Sequence, residues 1–200
     1  MASQDWLITG DGVCNACETA TNTELLPNPY RLYRFLTNLE DILQNITDDQ
    51  RRLQAIRPLV RHLLNSSEWL QYEYLQPDLE TGWSVLMLYD EPDFPLTVQT
   101  VAWLSGKVSP IHNHGTWGVV ALLSGQEKNT FWKRTGSHGC IEKVGERILS
   151  PGEIISFVPD AIHSVEALGD EPTISFNLYG ETNYEQRFEF DPLACTATNF

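Results

Sequence analysis

Apolar residues return at two different periods along this 200-residue chain, and the change of period divides it. Leu32, Phe35, Leu36, Leu39, Ile42, Leu43 and Ile46 recur at intervals of three and four, one stripe of an amphipathic helix. Thr47 with Gln50 resembles a capping box that opens a second helix. Its stripe is Leu53, Ile56, Leu59, Val60 and Leu63, and Pro58 is expected to kink or split it. Ser66 or Ser67 is placed to cap a short third helix over 68–74. From about residue 81 the pattern shortens to β-rich runs at 83–89, 97–104, 117–123, 129–133, 142–149, 154–158, 163–168, 173–179 and 187–190. Turn signals at Gly106, Ser124-Gly125, Thr135-Gly136, Pro151-Gly152 and Gly169-Asp170 separate them. Strands so short, with so few helices between them, predict a mainly β sandwich or barrel. The division expected is a loose arm over 1–28, a helical layer over 29–80 and a barrel over 81–200, the last two forming one structural domain.

Composition narrows the classes of function. Lys and Arg number 13 against 27 Asp and Glu, a net charge of −14. No basic footprint exists for nucleic acid or an anionic membrane surface, so neither is expected as a partner. No apolar run is long enough to span a bilayer, and Met1-Ala2-Ser3-Gln4-Asp5-Trp6 lacks the start of a secretory signal. Cytoplasm is the expected location. The four cysteines, Cys14, Cys17, Cys140 and Cys195, are too few and too scattered for a disulfide framework. Cys14-Asn15-Ala16-Cys17 has the spacing of a zinc or redox pair. No second ligand pair follows and no strand is expected before it, so it is assigned to the loose arm.

Five histidines remain to be placed. His112-Asn113-His114 stands out, because residues i and i+2 of a strand face one side and both imidazoles can reach one metal ion. His62 belongs to the helical layer, and His138 sits in the loop Thr135-Gly-Ser-His-Gly139 as a solvated turn residue. Around the pair runs Gly106, five residues, His112-x-His114, three residues, Gly118, six residues and Gly125, which follows the first cupin motif. The second motif runs from Gly152 through Pro159 to His163. The resemblance implies a cupin double-stranded β-helix, a jelly-roll barrel with an N-terminal helical layer, holding a metal ion through His112, His114 and His163. Most cupins add a Glu where this chain has Gly118, so three neutral ligands and no carboxylate are expected from these positions. A divalent ion that keeps its full charge favours an anionic soft ligand such as a thiolate.

The stretch from Pro110 through Gly125, with Glu127 and Asn129-Thr130, resembles the thiol dioxygenases, the group of cysteine and 3-mercaptopropionate dioxygenases. That resemblance implies non-haem Fe(II), with nickel or zinc as ions that purified protein can carry instead. It also implies a small-molecule thiol and O₂ as partners, and both oxygen atoms ending on sulfur as a sulfinic acid. Members of the group carry Ser-x-His-x-Tyr on a late strand; here the run is Ser175-Phe-Asn177-Leu-Tyr179. These three are the candidate catalytic residues, although Asn177 cannot titrate near neutral pH as a histidine does. Trp117 and Arg187 are candidate substrate-binding residues. No basic residue lies between His62 and Lys107, so the Arg clamp that cysteine dioxygenases place on an early strand is missing, and Arg187 is the alternative fork for a carboxylate. An ion pair of Arg187 with Glu185 or Glu189 competes with that role. A non-catalytic metal-binding module and a different cupin dioxygenase remain open beside the thiol dioxygenase.

Overall fold

The computed structural model describes residues 4–18, 29–67, 70, 75–136 and 139–200. The expected short helix over 68–74 falls mostly outside these residues, as does His138. Among the described residues, no helix is long and apolar enough to cross a membrane.

Two helices precede the barrel. α1 (Leu32–Asn45) buries Phe35 and Leu39 from the expected stripe. α2 (Asp49–Ser66) is capped by Asp48, whose Oδ1 accepts from the Arg51 N–H at 2.9 Å, so the cap lies one residue after Thr47. α2 also runs unsplit through Pro58, where the sequence led to the expectation of a kink or a split. Leu53, Ile56, Leu59, Val60 and Leu63 are all buried along it, and this packing outweighs the single backbone bond that proline removes.

Eight strands then divide between two sheets: β4 (Thr97–Trp103), β5 (Ile111–His112), β6 (Gly118–Ser124), β7 (Gln126–Arg134), β8 (Ile141–Leu149), β9 (Ile154–Phe157), β10 (Ile162–Leu168) and β11 (Thr173–Tyr179). One sheet contains the order β9-β6-β11-β4 and the other β5-β10-β7-β8. Successive strands cross from sheet to sheet except at the β7–β8 hairpin, which is the connectivity of a jelly roll. The fold is therefore a cupin-type double-stranded β-helix with helices laid over one face. β3 (Trp83–Tyr89) extends the first sheet beyond β4, while β12 (Phe188–Asp191) and β13 (Thr196–Asn199) extend the second beyond β5.

β11 shows how the sequence assigns its two faces. Ile174, Phe176 and Leu178 point outward, and Phe176 and Leu178 join the core beneath the helices with Phe35, Leu39 and Ile56. Ser175, Asn177 and Tyr179 point into the barrel. In β7 the buried alternate positions are Glu127, Asn129 and Phe131, so that strand also turns polar side chains inward.

The expected loose arm is instead a hairpin for residues 5–17. β1 (Asp5–Ile8) pairs antiparallel with β2 (Cys14–Cys17) and parallel with β9. Polar anchors compensate for its weak strand pattern. The buried Asp5 carboxylate pairs with Arg61 of α2, Trp6 Nε1 donates to Glu153 Oε1 at 3.1 Å, and the Arg147 guanidinium lies 3.9 Å from the Trp6 ring centroid. Cys14 and Cys17 are free thiols, and burial raises the pKa of both, which disfavours the reactive thiolate.

The cysteines make no disulfide framework, but two of them form a single bond that the sequence reading did not foresee. Cys140, just before β8, is bonded to Cys195 in the turn between β12 and β13, across 55 residues of sequence. The constraint on the unfolded chain stabilises by about 2–4 kcal/mol for loops of this kind. Cys195→Ser is expected to lower the unfolding free energy of oxidised protein by about that amount. It should have little effect once a thiol reductant is present, as read from paired urea melts.

Candidate functional site

His112 is the last residue of β5 and stands directly opposite His163 of β10 in antiparallel register. The strand ends there, so His114 does not join His112 by strand alternation alone. Asn113, which is buried, holds the intervening turn. Its Nδ2 donates to the carbonyls of Pro159 at 3.1 Å and Gln186 at 2.7 Å, and its Oδ1 accepts from the Phe188 N–H at 2.9 Å. The three rings meet with centroids 4.7 to 5.2 Å apart. One ring nitrogen from each lies within 4.8 Å of the others, a group able to hold a metal ion.

The second ring nitrogens fix the tautomers. His112 Nδ1 is 2.9 Å from the Pro110 carbonyl, which only accepts, so Nδ1 carries the proton and Nε2 keeps its lone pair. His163 Nδ1 donates to Asn129 Oδ1 at 2.9 Å, and Asn129 Nδ2 donates to Glu127 Oε1 at 2.8 Å. His163 Nε2 therefore faces His114 Nε2, 3.0 Å away. Burial holds all three imidazoles below the usual histidine pKa, His114 and His163 well below it, and the neighbouring imidazoles and Arg187 add to the effect on His114. Neutral imidazoles with converging Nε2 atoms are the protonation state that a divalent ion needs, so the donor set fits such an ion.

Gly118 has a steric role here. The Tyr179 ring stacks on His114 with centroids 4.6 Å apart and a 27° interplanar angle. A Cβ at position 118 would lie 2.7 Å from Tyr179 Cδ1. The carboxylate usual in cupins at that position and the tyrosine in its present place exclude each other. Tyr179 donates its hydroxyl to Asn177 Oδ1 at 3.1 Å, and Asn177 Nδ2 donates to Ser175 Oγ at 2.9 Å. The expected triad is thus a continuous chain of hydrogen bonds. Burial, then the nearby Glu127, raises the Tyr179 pKa, so the phenol stays protonated at neutral pH.

A cavity of about 640 Å³ contains all three histidines and this chain. Arg187 lines it and forms no ion pair among the described residues, with Glu185, Glu189 or any other acid. Its guanidinium lies 4.1 Å from the Phe200 ring centroid, and its buried Nε has no hydrogen-bond partner among the described residues. Trp117 is a correction: it is buried in the outer core and does not line the cavity. Gly118 and Val120 take the inward positions of β6, and Trp117 falls on the opposite parity, over Gly180. His62 likewise stays in the helical layer, its ring 4.6 Å from that of Tyr30.

Sequence reasoning gave no role to Glu127 or Asn129. Only their alternation with the inward-facing Phe131 pointed to the interior. Burial raises the Glu127 pKa to about 7, against the smaller opposing effect of the Asn129 hydrogen bond.

No family model matches the chain. Among solved structures it is similar to oxalate oxidase in complex with glycolate, with a TM-score of 0.44 and 15% identity over 56% of this chain and 57% of that one. It is also similar to a cupin_2 domain of an XRE family transcriptional regulator from Enterobacter cloacae, with a TM-score of 0.39 and 18% identity over 51% of this chain and 99% of that one. KdgF from Halomonas sp. matches with a TM-score of 0.40 and 21% identity over 55% of this chain and 90% of that one. The match to oxalate oxidase spans little more than half of that protein's length.

Two outcomes follow from the site's geometry. Gly118→Ala is expected to destabilise by about 1–3 kcal/mol through overpacking, and adding Tyr179→Ala should relieve part of that cost in a double-mutant cycle of thermal melts. The second concerns Glu127, whose pKa rises on folding from 4.5 to about 7. Its neutral form favours the fold below pH 4.5, and this advantage is lost as pH rises through about 7. Glu127→Gln should therefore match the parent near pH 4.5 and exceed it by on the order of 3 kcal/mol above pH 8, measured by denaturant melts across that range.

Proposed function

We propose that the protein is an iron-dependent dioxygenase that oxidises a small thiol to a sulfinic acid, RSH + O₂ → RSO₂H. The observation that carries this reading is a ligand group of three neutral imidazoles that, among the described residues, includes no carboxylate, bordered by Tyr179 over Gly118 and by Arg187. His112, His114 and His163 would hold the ion, which when bound supplies activation of O₂ toward sulfur. The Pro110 carbonyl and Asn129 keep the rings of His112 and His163 in the tautomers whose Nε2 lone pairs would be available to the ion. Arg187 offers its guanidinium to a substrate carboxylate. Phe157 packs against His163, with ring centroids 4.3 Å apart, and keeps water from that side. Tyr179 holds a proton at its hydroxyl, and Asn177 ties that hydroxyl to Ser175.

The presence of Asn177 favours a second reading, a metal-binding module without turnover. An amide relays hydrogen bonds but takes up no proton near neutral pH. A cytoplasmic location remains an expectation, and a reducing compartment would oppose the Cys140–Cys195 bond.

Protein loaded anaerobically with Fe(II) is expected to consume O₂ in proportion to added cysteine, 3-mercaptopropionate or cysteamine derivatives, with the sulfinate identified by mass spectrometry. His163→Ala should lose stoichiometric metal in elemental analysis while keeping its circular dichroism. No uptake with any thiol, iron being confirmed in place, would leave the binding module as the surviving reading.

A further inference from the structure

Arg187 can anchor a carboxylate only if its guanidinium is aimed, and its own stretch of backbone does little to aim it. The residue lies between a single 3₁₀ turn (Tyr184–Gln186) and β12, outside both. Its N–H makes a long 3.4 Å bond to the Tyr184 carbonyl, and among the described residues no acid pairs with its side chain. An arginine left loose loses much rotamer freedom when a ligand fixes it. Parity supplies the direction: Phe188 and Phe190 turn to the other face of β12, under the Arg134 guanidinium, and Arg187 turns into the cavity.

Two side-chain amides grip this stretch, and the strand order β13-β12-β5 puts them on its two flanks. On the β5 flank, Asn113 Nδ2 donates to the Gln186 carbonyl at 2.7 Å and Asn113 Oδ1 accepts from the Phe188 N–H at 2.9 Å. One carboxamide thus binds the residues on either side of Arg187, and it belongs to the turn between His112 and His114. The two segments are in backbone contact: the Asn183 N–H donates to the Gly115 carbonyl at 3.1 Å, and a Cβ at Gly115 would lie 3.2 Å from Arg187 N. On the β13 flank, Asn199 Nδ2 lies 3.1 to 3.2 Å from the carbonyls of Tyr184, Glu185 and Arg187. The next ring in sequence, Phe200, covers the guanidinium.

We propose that Asn113 and Asn199 are positioning residues for Arg187, holding the guanidinium at a set distance from the histidines so that one small ligand reaches both. The inference rests on Arg187 as the carboxylate anchor of the proposed function. A planar fork recognises a carboxylate only in alignment, so a loosened segment loses the anion's contribution while the histidines keep theirs.

Calorimetry on the full chain, loaded with redox-inert zinc, compares 3-mercaptopropionate with 3-mercaptopropionamide, which has the same length and no charge. The parent is expected to bind the acid at least about tenfold more tightly. Arg187→Ala should bring the ratio of the two dissociation constants to about one. Asn113→Ser, and separately Asn199→Ala, should each cut the parent ratio by about threefold or more, with zinc content unchanged in elemental analysis. In the Arg187→Ala background neither amide change should move it further, which separates aiming of the arginine from general loosening. Asn199 is exposed, so Asn199→Ala decides alone if Asn113→Ser loses its fold in thermal melts or its zinc. A ratio unmoved by the amide variants, or moved as much without Arg187 as with it, would overturn the proposal. A parent ratio of one removes the anchor, and this inference with it, even where iron-loaded protein consumes O₂ with a thiol. No O₂ uptake beside ratios that behave as expected sinks the dioxygenase reading alone.

Discussion

β11 is covered on both faces, and most of the molecule follows from that constraint. Its outward residues, Phe176 and Leu178 among them, need an apolar cover, which α1 and α2 provide. Full burial of each such side chain contributes about 1.5–3 kcal/mol. Its inward residues are polar and equally removed from bulk water, so each must find a partner or lose its hydration without return. Tyr179, Asn177 and Ser175 satisfy one another in sequence along the strand. The same demand acts across the barrel, where Glu127, Asn129 and His163 form a second chain. Two files of hydrogen bonds thus converge on the histidines from opposite sheets.

That arrangement gives the histidine group its chemical character. The rings are neutral because they are buried, and the acceptors that hold Nδ1 of His112 and His163 leave Nε2 unprotonated on each. Gly118 completes the arrangement by omission: its missing side chain is the space in which the Tyr179 ring lies against His114. A carboxylate ligand and this tyrosine are alternatives in one volume.

Much of this was legible in the chain itself, because alternation and turn residues survive wherever a strand is long. The runs at 83–89 and 173–179 match β3 and β11 at both ends. The glycines and Pro159 around the histidines marked three rings that the fold brings together. Shorter or context-dependent features were hidden. β5 has two residues and no period to read. The N-terminal hairpin has weak strand composition and is held by Arg61, Glu153 and Arg147, remote in sequence. Trp117 was misplaced because parity at the start of β6 is set by Gly118, a residue with no side chain to betray which way it faces. Nor does any local pattern reveal whether Arg187 turns to Glu185, to Glu189 or to the cavity.

The Cys140–Cys195 bond gives the chamber unequal walls. It fastens the hairpin of β12 and β13 to the start of β8, and this hairpin adjoins Arg187 and Phe200. On the other side β3 is an edge strand, paired among the described residues with β4 alone. One wall is stapled and carries the charge; the other is hinged on a single neighbour and carries the grease. The β3 wall is therefore the one with the fewer restraints on its backbone.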